Sequence, residues 1–136
     1  MIRTAEHTDY KQVKELIQLG VEEGTLQPRR KKDIKKAIKR GRIAVAEENG
    51  SLVGTAGIVV YDRRIAEVRS LYVTPNQRGK GIAHELLGHI LESSVNVLPT
   101  ATIFAITQTP RVFNQAGFSS GIRTNKSEKH IVMKNI

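Results

Sequence analysis

The residues with the clearest chemical purpose lie in one stretch, Val73-Thr74-Pro75-Asn76-Gln77-Arg78-Gly79-Lys80-Gly81-Ile82-Ala83, between a predicted strand and a predicted helix. Glycines at such a junction let the backbone turn tightly and approach a ligand, and they leave amide N–H groups free at the helix N-terminus. Those amides and the helix dipole attract an anion, and Arg78 and Lys80 add positive charge. The predicted ligand is a phosphate or pyrophosphate. The loop is neither Gly-x-x-x-x-Gly-Lys-Ser/Thr nor Gly-x-Gly-x-x-Gly. A turn made of glycines alone is weak evidence, but the pattern Arg-x-x-Gly-x-Ala at Arg78, Gly81 and Ala83 is far more specific.

Other chemistry is largely excluded. There is no cysteine, so disulfides, thiolate metal sites and a Cys nucleophile are all ruled out. His84 and His89 are five apart and do not share a helix face as paired metal ligands would, and no Gly-x-Ser-x-Gly elbow occurs. No metal is expected.

The elements that must position the loop can be read from spacing. Ile2 to Thr4 suits a short strand. Thr8 offers an N-cap for a helix carrying Val13, Leu16, Ile17 and Val21, with Gly20 and Gly24 at its end. Ile34, Ala37 and Ile38 give a second short helix that stops at Gly41. Ile43 to Ala46, then Asn49-Gly50, then Leu52 to Tyr61 predict a hairpin, and Ile65 to Val73 a third antiparallel strand. Ile82, Leu86, Leu87, Ile90 and Leu91 mark an amphipathic helix after the loop. Ala101 to Ile106 is a strand, Pro110 opens a short helix closed by Gly117-Phe118, and Ile131 to Met133 is a final strand. The order is βααβββαβαβ, a mixed α/β (α+β) domain with a mostly antiparallel sheet flanked by helices.

The 136 residues suit a single domain spanning 1–136. With 39% hydrophobic and 26% charged residues, the chain reads as globular. No apolar run reaches the ~20 residues of a membrane-spanning helix, and the start at Met1 does not read as a signal peptide. A cytoplasmic location is expected, with no membrane partner. The formal charge is +9, and residues 29–42, RRKKDIKKAIKRGR, hold nine of the 22 basic residues. Such a run fits nucleic acid, anionic lipid or an acidic ligand, or is simply the solvated face of a helix. None of the few aromatic residues lies within it, which disfavours a nucleic-acid module.

The strand ending in Val73-x-Pro75 and the Arg78, Gly81, Ala83 loop resemble the GNAT N-acetyltransferase superfamily, and the resemblance runs on to Asn114-Gln115-Ala116-Gly117-Phe118. It implies acetyl-CoA as co-substrate, held at its pyrophosphate by backbone N–H groups of Gln77, Arg78, Gly79, Lys80, Gly81, Ile82 and Ala83. It implies a bulge in the preceding strand, where Leu71 and Val73 present backbone groups to the pantetheine arm. Asn114 falls where the family often places a polar side chain near the cofactor.

A second likeness is narrower. Glu23-Gly24-Thr25-Leu26-Gln27-Pro28-Arg29-Arg30, Glu67-Val68-Arg69-Ser70-Leu71-Tyr72-Val73 and Ile106-Thr107 look like the acetyltransferase domain of N-acetylglutamate synthases, in their short stand-alone form. That resemblance implies transfer to the α-amine of glutamate, the first step toward arginine. It implies Leu26, Arg29, Ser70 and Thr107 at the acceptor, with Arg29 on its carboxylate and Glu67 as general base. The chemistry agrees, since an α-amine of pKa about 8 is only about a tenth neutral at pH 7 and needs a proton acceptor. A guanidinium grips a carboxylate in a planar fork. The competing reading of Glu67 is a solvent-facing strand residue balancing Arg69 or Arg64.

Two positions depart from the pattern. Phe113 stands where many relatives carry the tyrosine that protonates the leaving thiolate. Gln108 follows Thr107 where some synthases carry another arginine. The alternatives are a GNAT enzyme acting on another amine (a protein N-terminus, a lysine or a small molecule) or an acyl-CoA-binding module without turnover. A homodimer is compatible with either.

Overall fold

Two sets of apolar stripes determine how the chain wraps around its sheet. In the computed structural model, which describes residues 1–95, 101–123 and 130–135, α1 (Tyr10–Glu22) and α2 (Lys31–Lys39) lie on one face. There Val13, Leu16, Ile17, Ile34, Ala37 and Ile38 bury against Ile43, Val45, Leu52 and Tyr72. On the other face Leu86, Leu87, Ile90 and Leu91 of α3 (Ile82–Val95) bury against small strand residues, among them Ala44, Ala46, Ala56 and Ala66. Strand β2 (Ile43–Glu48) serves both cores by alternation, with Ile43 and Val45 pointing one way and Ala44 and Ala46 the other. The small residues let α3 sit close: a Cβ at Gly54 would lie 3.0 Å from Leu86 and 3.1 Å from the Tyr72 carbonyl oxygen.

The sheet has seven strands in the order β1-β2-β3-β4-β5-β7-β6. The others are β1 (Ile2–Thr4), β3 (Ser51–Val60), β4 (Ile65–Val73), β5 (Thr102–Thr107), β6 (Ser119–Arg123) and β7 (His130–Asn135), with α4 (Pro110–Gln115) between β5 and β6. All neighbours are antiparallel except β4 and β5. The mixed, mostly antiparallel sheet flanked by helices is the expected architecture. The turn joining β2 to β3 has positive φ at both Asn49 (51°) and Gly50 (80°), as a type I′ hairpin requires.

Three local expectations need correction. The order contains one more strand than βααβββαβαβ, because Ser119–Arg123 forms β6; Ser119-Ser120-Gly121 has no apolar alternation, and its pairing with β7 makes it a strand. Thr8 does not cap α1. A 3₁₀ turn over His7–Asp9 precedes the helix, and the buried Asp9 organises it, accepting the Glu6 N–H at 2.8 Å and a two-pronged contact from Arg3 at 2.7 and 3.0 Å. The Arg3 guanidinium holds the Asp9 carboxyl below its ordinary range. Gly20 does not end α1 but lies inside it; a Cβ there would run into the Leu26 side chain, so this glycine seats the following loop.

The feature that shapes the site is a bulge in β4. Gly57 pairs with Arg69 and Thr55 with Tyr72, so Ser70 and Leu71 together face Ala56. Ser70 takes a left-handed φ of 61°, uncommon for a non-glycine residue. The extra residue switches the sides: Ala66 and Val68 pack toward α3, as do Leu71 and Val73, while Tyr72 joins the α1–α2 core. Ahead of the bulge, β4 also leaves β5. The two pair only across Ile65–Glu67 and Thr102–Phe104, and then they separate.

Candidate active site

The gap between the separating strands is a cleft of about 960 Å³, with the glycine loop at one end and the α1–α2 connection at the other. At the loop end, Pro75–Gln77 forms a 3₁₀ turn and α3 begins at Ile82. Gly79 and Gly81 have φ of 80° and 82°, and no atom lies within 4 Å of where a Cβ would stand on either. Their requirement is therefore conformational, and the space before them is open. The first intrahelical bond runs from the Glu85 N–H to the Gly81 carbonyl, so the N–H groups of Ile82, Ala83 and His84 need partners from outside the helix. This cradle fits a pyrophosphate, the anionic part of acetyl-CoA.

The loop's cations are not free in the way the sequence suggests. Arg78 donates from Nε to the Val73 carbonyl at 2.9 Å and from Nη2 to Glu23 at 2.9 Å, and it lies over the Tyr72 ring at 5.4 Å. Lys80 donates to Gln77 Oε1 at 3.0 Å and does not line the cleft. Anion binding at this end rests on the backbone. The Thr74 N–H bonds to Val53 across the sheet, so by alternation the backbone groups of Leu71 and the N–H of Val73 point into the cleft, while the Val73 carbonyl is taken by Arg78. Gln77, Arg78, Gly79, Gly81, Ile82 and Ala83 line it with them. Asn114 does not; it is exposed on α4.

At the other end, Leu26 and Thr107 line opposite walls, and Gln108 Nε2 donates across to the Gly24 carbonyl at 3.3 Å. Thr107 is held by its own loop, accepting the Thr109 N–H at 2.9 Å. Glu67 also lines the cleft at 6% exposure, which removes the solvent-facing reading of this residue. Its Oε1 accepts the Tyr61 hydroxyl at 2.5 Å and lies 3.4 Å from Arg69 Nε. Ser70 is buried, and its hydroxyl has no partner.

Arg29 sits behind this group rather than on the cleft wall. Its Nη1 is buried without a partner, 3.2 Å from the point where a Cβ on Gly57 would stand. Burial, then the like charge of Arg69, pushes its pKa below the guanidinium's ordinary value, while Asp33, Glu67 and Tyr61 oppose the shift. The site as built can accept an anionic chain at the loop, an extended arm along β4, and an amine beside a buried carboxylate. Phe113 is buried against Phe118 and offers no hydroxyl. Among the described residues no cluster of three metal-ligating side chains exists, and no helix is long and apolar enough to cross a membrane.

Sequence reasoning missed Tyr61 and Glu23. Tyr61 gives no motif signal because its partner lies across a turn, and Glu23 meets Arg78 from just past the end of α1, far away in sequence.

Several solved structures share the fold. Rv2747 of Mycobacterium tuberculosis, in complex with CoA and NLQ, is 17% identical with a TM-score of 0.85, over 100% of this chain and 99% of that one. N-acetylglutamate synthase of Neisseria gonorrhoeae, complexed with coenzyme A and N-acetyl-glutamate, is 23% identical with a TM-score of 0.82. That match covers 99% of this chain and only 34% of the synthase, so the chain spans about a third of the larger enzyme. Ribosomal-protein-alanine N-acetyltransferase of Brucella melitensis is 19% identical with a TM-score of 0.78, over 100% of this chain and 99% of that one. The model of the acetyltransferase (GNAT) family matches residues 10–118, from α1 through the loop to Phe118, and the chain belongs to that family of acetyl-CoA-dependent acetyltransferases.

Proposed function

We propose that the acceptor is an acidic amino acid, with glutamate the favoured substrate, acetylated on its α-amine in the cytoplasm as a step toward arginine. The observation that carries this reading is the acceptor end of the cleft, where the buried Glu67 carboxylate lies 3.4 Å from Arg69 Nε and within the field of Arg29, whose Nη1 has no partner. On the cleft wall itself the guanidinium of Arg69 can meet a substrate carboxylate, with the charge of Arg29 behind it.

In this reading Gln77, Arg78, Gly79, Lys80, Gly81, Ile82 and Ala83 hold the pyrophosphate through backbone N–H groups. Leu71 and Val73 take the arm. Acetyl-CoA supplies an acetyl group activated as a thioester. Glu67, directly or through one water, accepts the proton that the ammonium must lose before its nitrogen can attack. Leu26 and Thr107 shape the acceptor wall, Ser70 offers its backbone N–H, and Arg29 orients the carboxylate. The thiolate takes its proton from solvent, since Phe113 cannot supply one.

A free-thiol release assay with acetyl-CoA against the twenty amino acids, a panel of amines and an alanine-ended peptide tests the proposal. Saturable release with glutamate is expected. Release with the peptide or a neutral amine, and none with glutamate, overturns the acceptor while leaving acetyl transfer intact.

A further inference from the structure

Tyr61 is an exposed aromatic residue whose hydroxyl is nonetheless committed. The residue is 56% exposed, yet its O–H donates to Glu67 Oε1 at 2.5 Å, and its ring stacks on Phe104 with centroids 6.2 Å apart and planes 15° apart. The turn that carries it is tightly fixed. The Tyr61 N–H donates to the Ile65 carbonyl at 3.0 Å, and Asp62 Oδ1 accepts the N–H groups of Arg64 at 2.6 Å and Ile65 at 3.1 Å. An exposed side chain usually samples several rotamers, but this one is pinned at its backbone, ring and hydroxyl.

The contact is selective between the two carboxylate oxygens. Tyr61 and Arg69 both meet Oε1, and among the described residues no contact of this kind falls on Oε2. We propose that Tyr61 is a positioning residue for acetyl transfer: with Arg69 it occupies Oε1 of Glu67 and so presents Oε2 as the oxygen that takes the amine proton. The inference rests on the general-base reading of Glu67. The groups facing the carboxylate are Tyr61 from the β3–β4 turn, Arg69 from β4 and Arg29 from the α1–α2 connection, with Asp33 behind Arg29, while β5 contributes the uncharged Phe104. The carboxylate holds the Tyr61 hydroxyl above the ordinary phenol range, so it remains a proton donor across the working pH.

Tyr61→Phe keeps the ring and deletes the hydroxyl. With the acceptor turned over fastest in the amine panel, kcat should fall roughly tenfold, the value of one charge-assisted hydrogen bond. The KM for acetyl-CoA should hold, so that the loss falls on kcat alone. Tyr61→Phe combined with Glu67→Gln should be no slower than Glu67→Gln alone. An acceptor-free readout runs beside these assays: the ¹³C signal of the Tyr61 ring, assigned by its loss in Tyr61→Phe, should move when Glu67→Gln replaces the charged acceptor of its hydroxyl.

A Tyr61→Phe kcat equal to the parent's, with Glu67→Gln impaired, overturns the positioning role and leaves the base reading standing. Parent-like kcat in Glu67→Gln overturns both. A Tyr61 signal that ignores the Glu67→Gln change removes the contact itself.

Discussion

At the loop end of the cleft the polar groups on offer are backbone amides, whereas at the acceptor end they are side chains, and the two ends manage charge differently. Arg78 is already compensated by Glu23 and by the Val73 carbonyl, so the loop presents N–H groups whose positions are set by Gly79 and Gly81. The acceptor end instead holds Glu67 between Tyr61 and Arg69, with polar atoms of Arg29 and Ser70 left unpaired. Backbone recognition suits a ligand part shared by every reaction of a family. Side-chain recognition can be changed one residue at a time, and it is where substrate choice is made.

If that contrast holds, changes at the two ends should separate cleanly in kinetics. The largest effect is expected from Gly81→Asp, which forces a side chain into a left-handed position and places a negative charge at the anion cradle. Calorimetric titration with CoA should show binding abolished, and an unchanged affinity would remove the loop from the cofactor site. Next comes Glu67→Gln, which should lower kcat by about 10²–10⁴-fold with CoA affinity intact. Parent-like kcat from pH 6 to 9 would return Glu67 to a structural role.

Arg29→Ala should follow, with kcat/KM for glutamate falling at least about 30-fold, mostly through KM, as for a buried charge pair that loses one partner. Arg29→Lys should recover only part, since an ammonium cannot reproduce the planar fork. Untouched glutamate turnover in Arg29→Ala would break the carboxylate clamp. The smallest effect should come from Glu23→Gln, which leaves the Arg78 charge uncompensated and should raise CoA affinity by no more than about fivefold, most at low salt. A fall in affinity would mean that Glu23 holds Arg78 in its binding position.

The same contrast explains what could be read from the chain. The loop was legible because left-handed backbone positions write themselves as Gly79 and Gly81, and the hairpin was legible because a type I′ turn writes itself as Asn49-Gly50. The helices were legible from stripes such as Leu86, Leu87, Ile90 and Leu91. The bulge at Ser70 left no glycine to mark it, and it entered only through family resemblance. Asp9 outranked Thr8 at the start of α1 because Arg3, on a neighbouring strand, supplies its partner, and no helix-capping rule looks that far. Gly20 read as a helix end because its true role, room for Leu26, exists only after the chain folds back. Tyr61, Glu67 and Arg29 form a cluster across three segments, and such contacts leave no periodic trace.

The parting of β4 from β5 has a consequence for heat resistance. The backbone groups of Leu71 and the N–H of Val73, which a continuous sheet would bond to a neighbour, instead form an edge inside the fold. A molecule laid along that edge binds only the folded chain, so it adds about 2.7 kcal/mol of stability at a hundredfold excess over its Kd. For a chain of 136 residues that corresponds to a melting temperature higher by on the order of 10 °C. A thermal scan with and without CoA should show the rise in the parent protein and none in Gly81→Asp. The gap that admits the co-substrate thus makes the folded lifetime of the enzyme respond to how much co-substrate its surroundings hold.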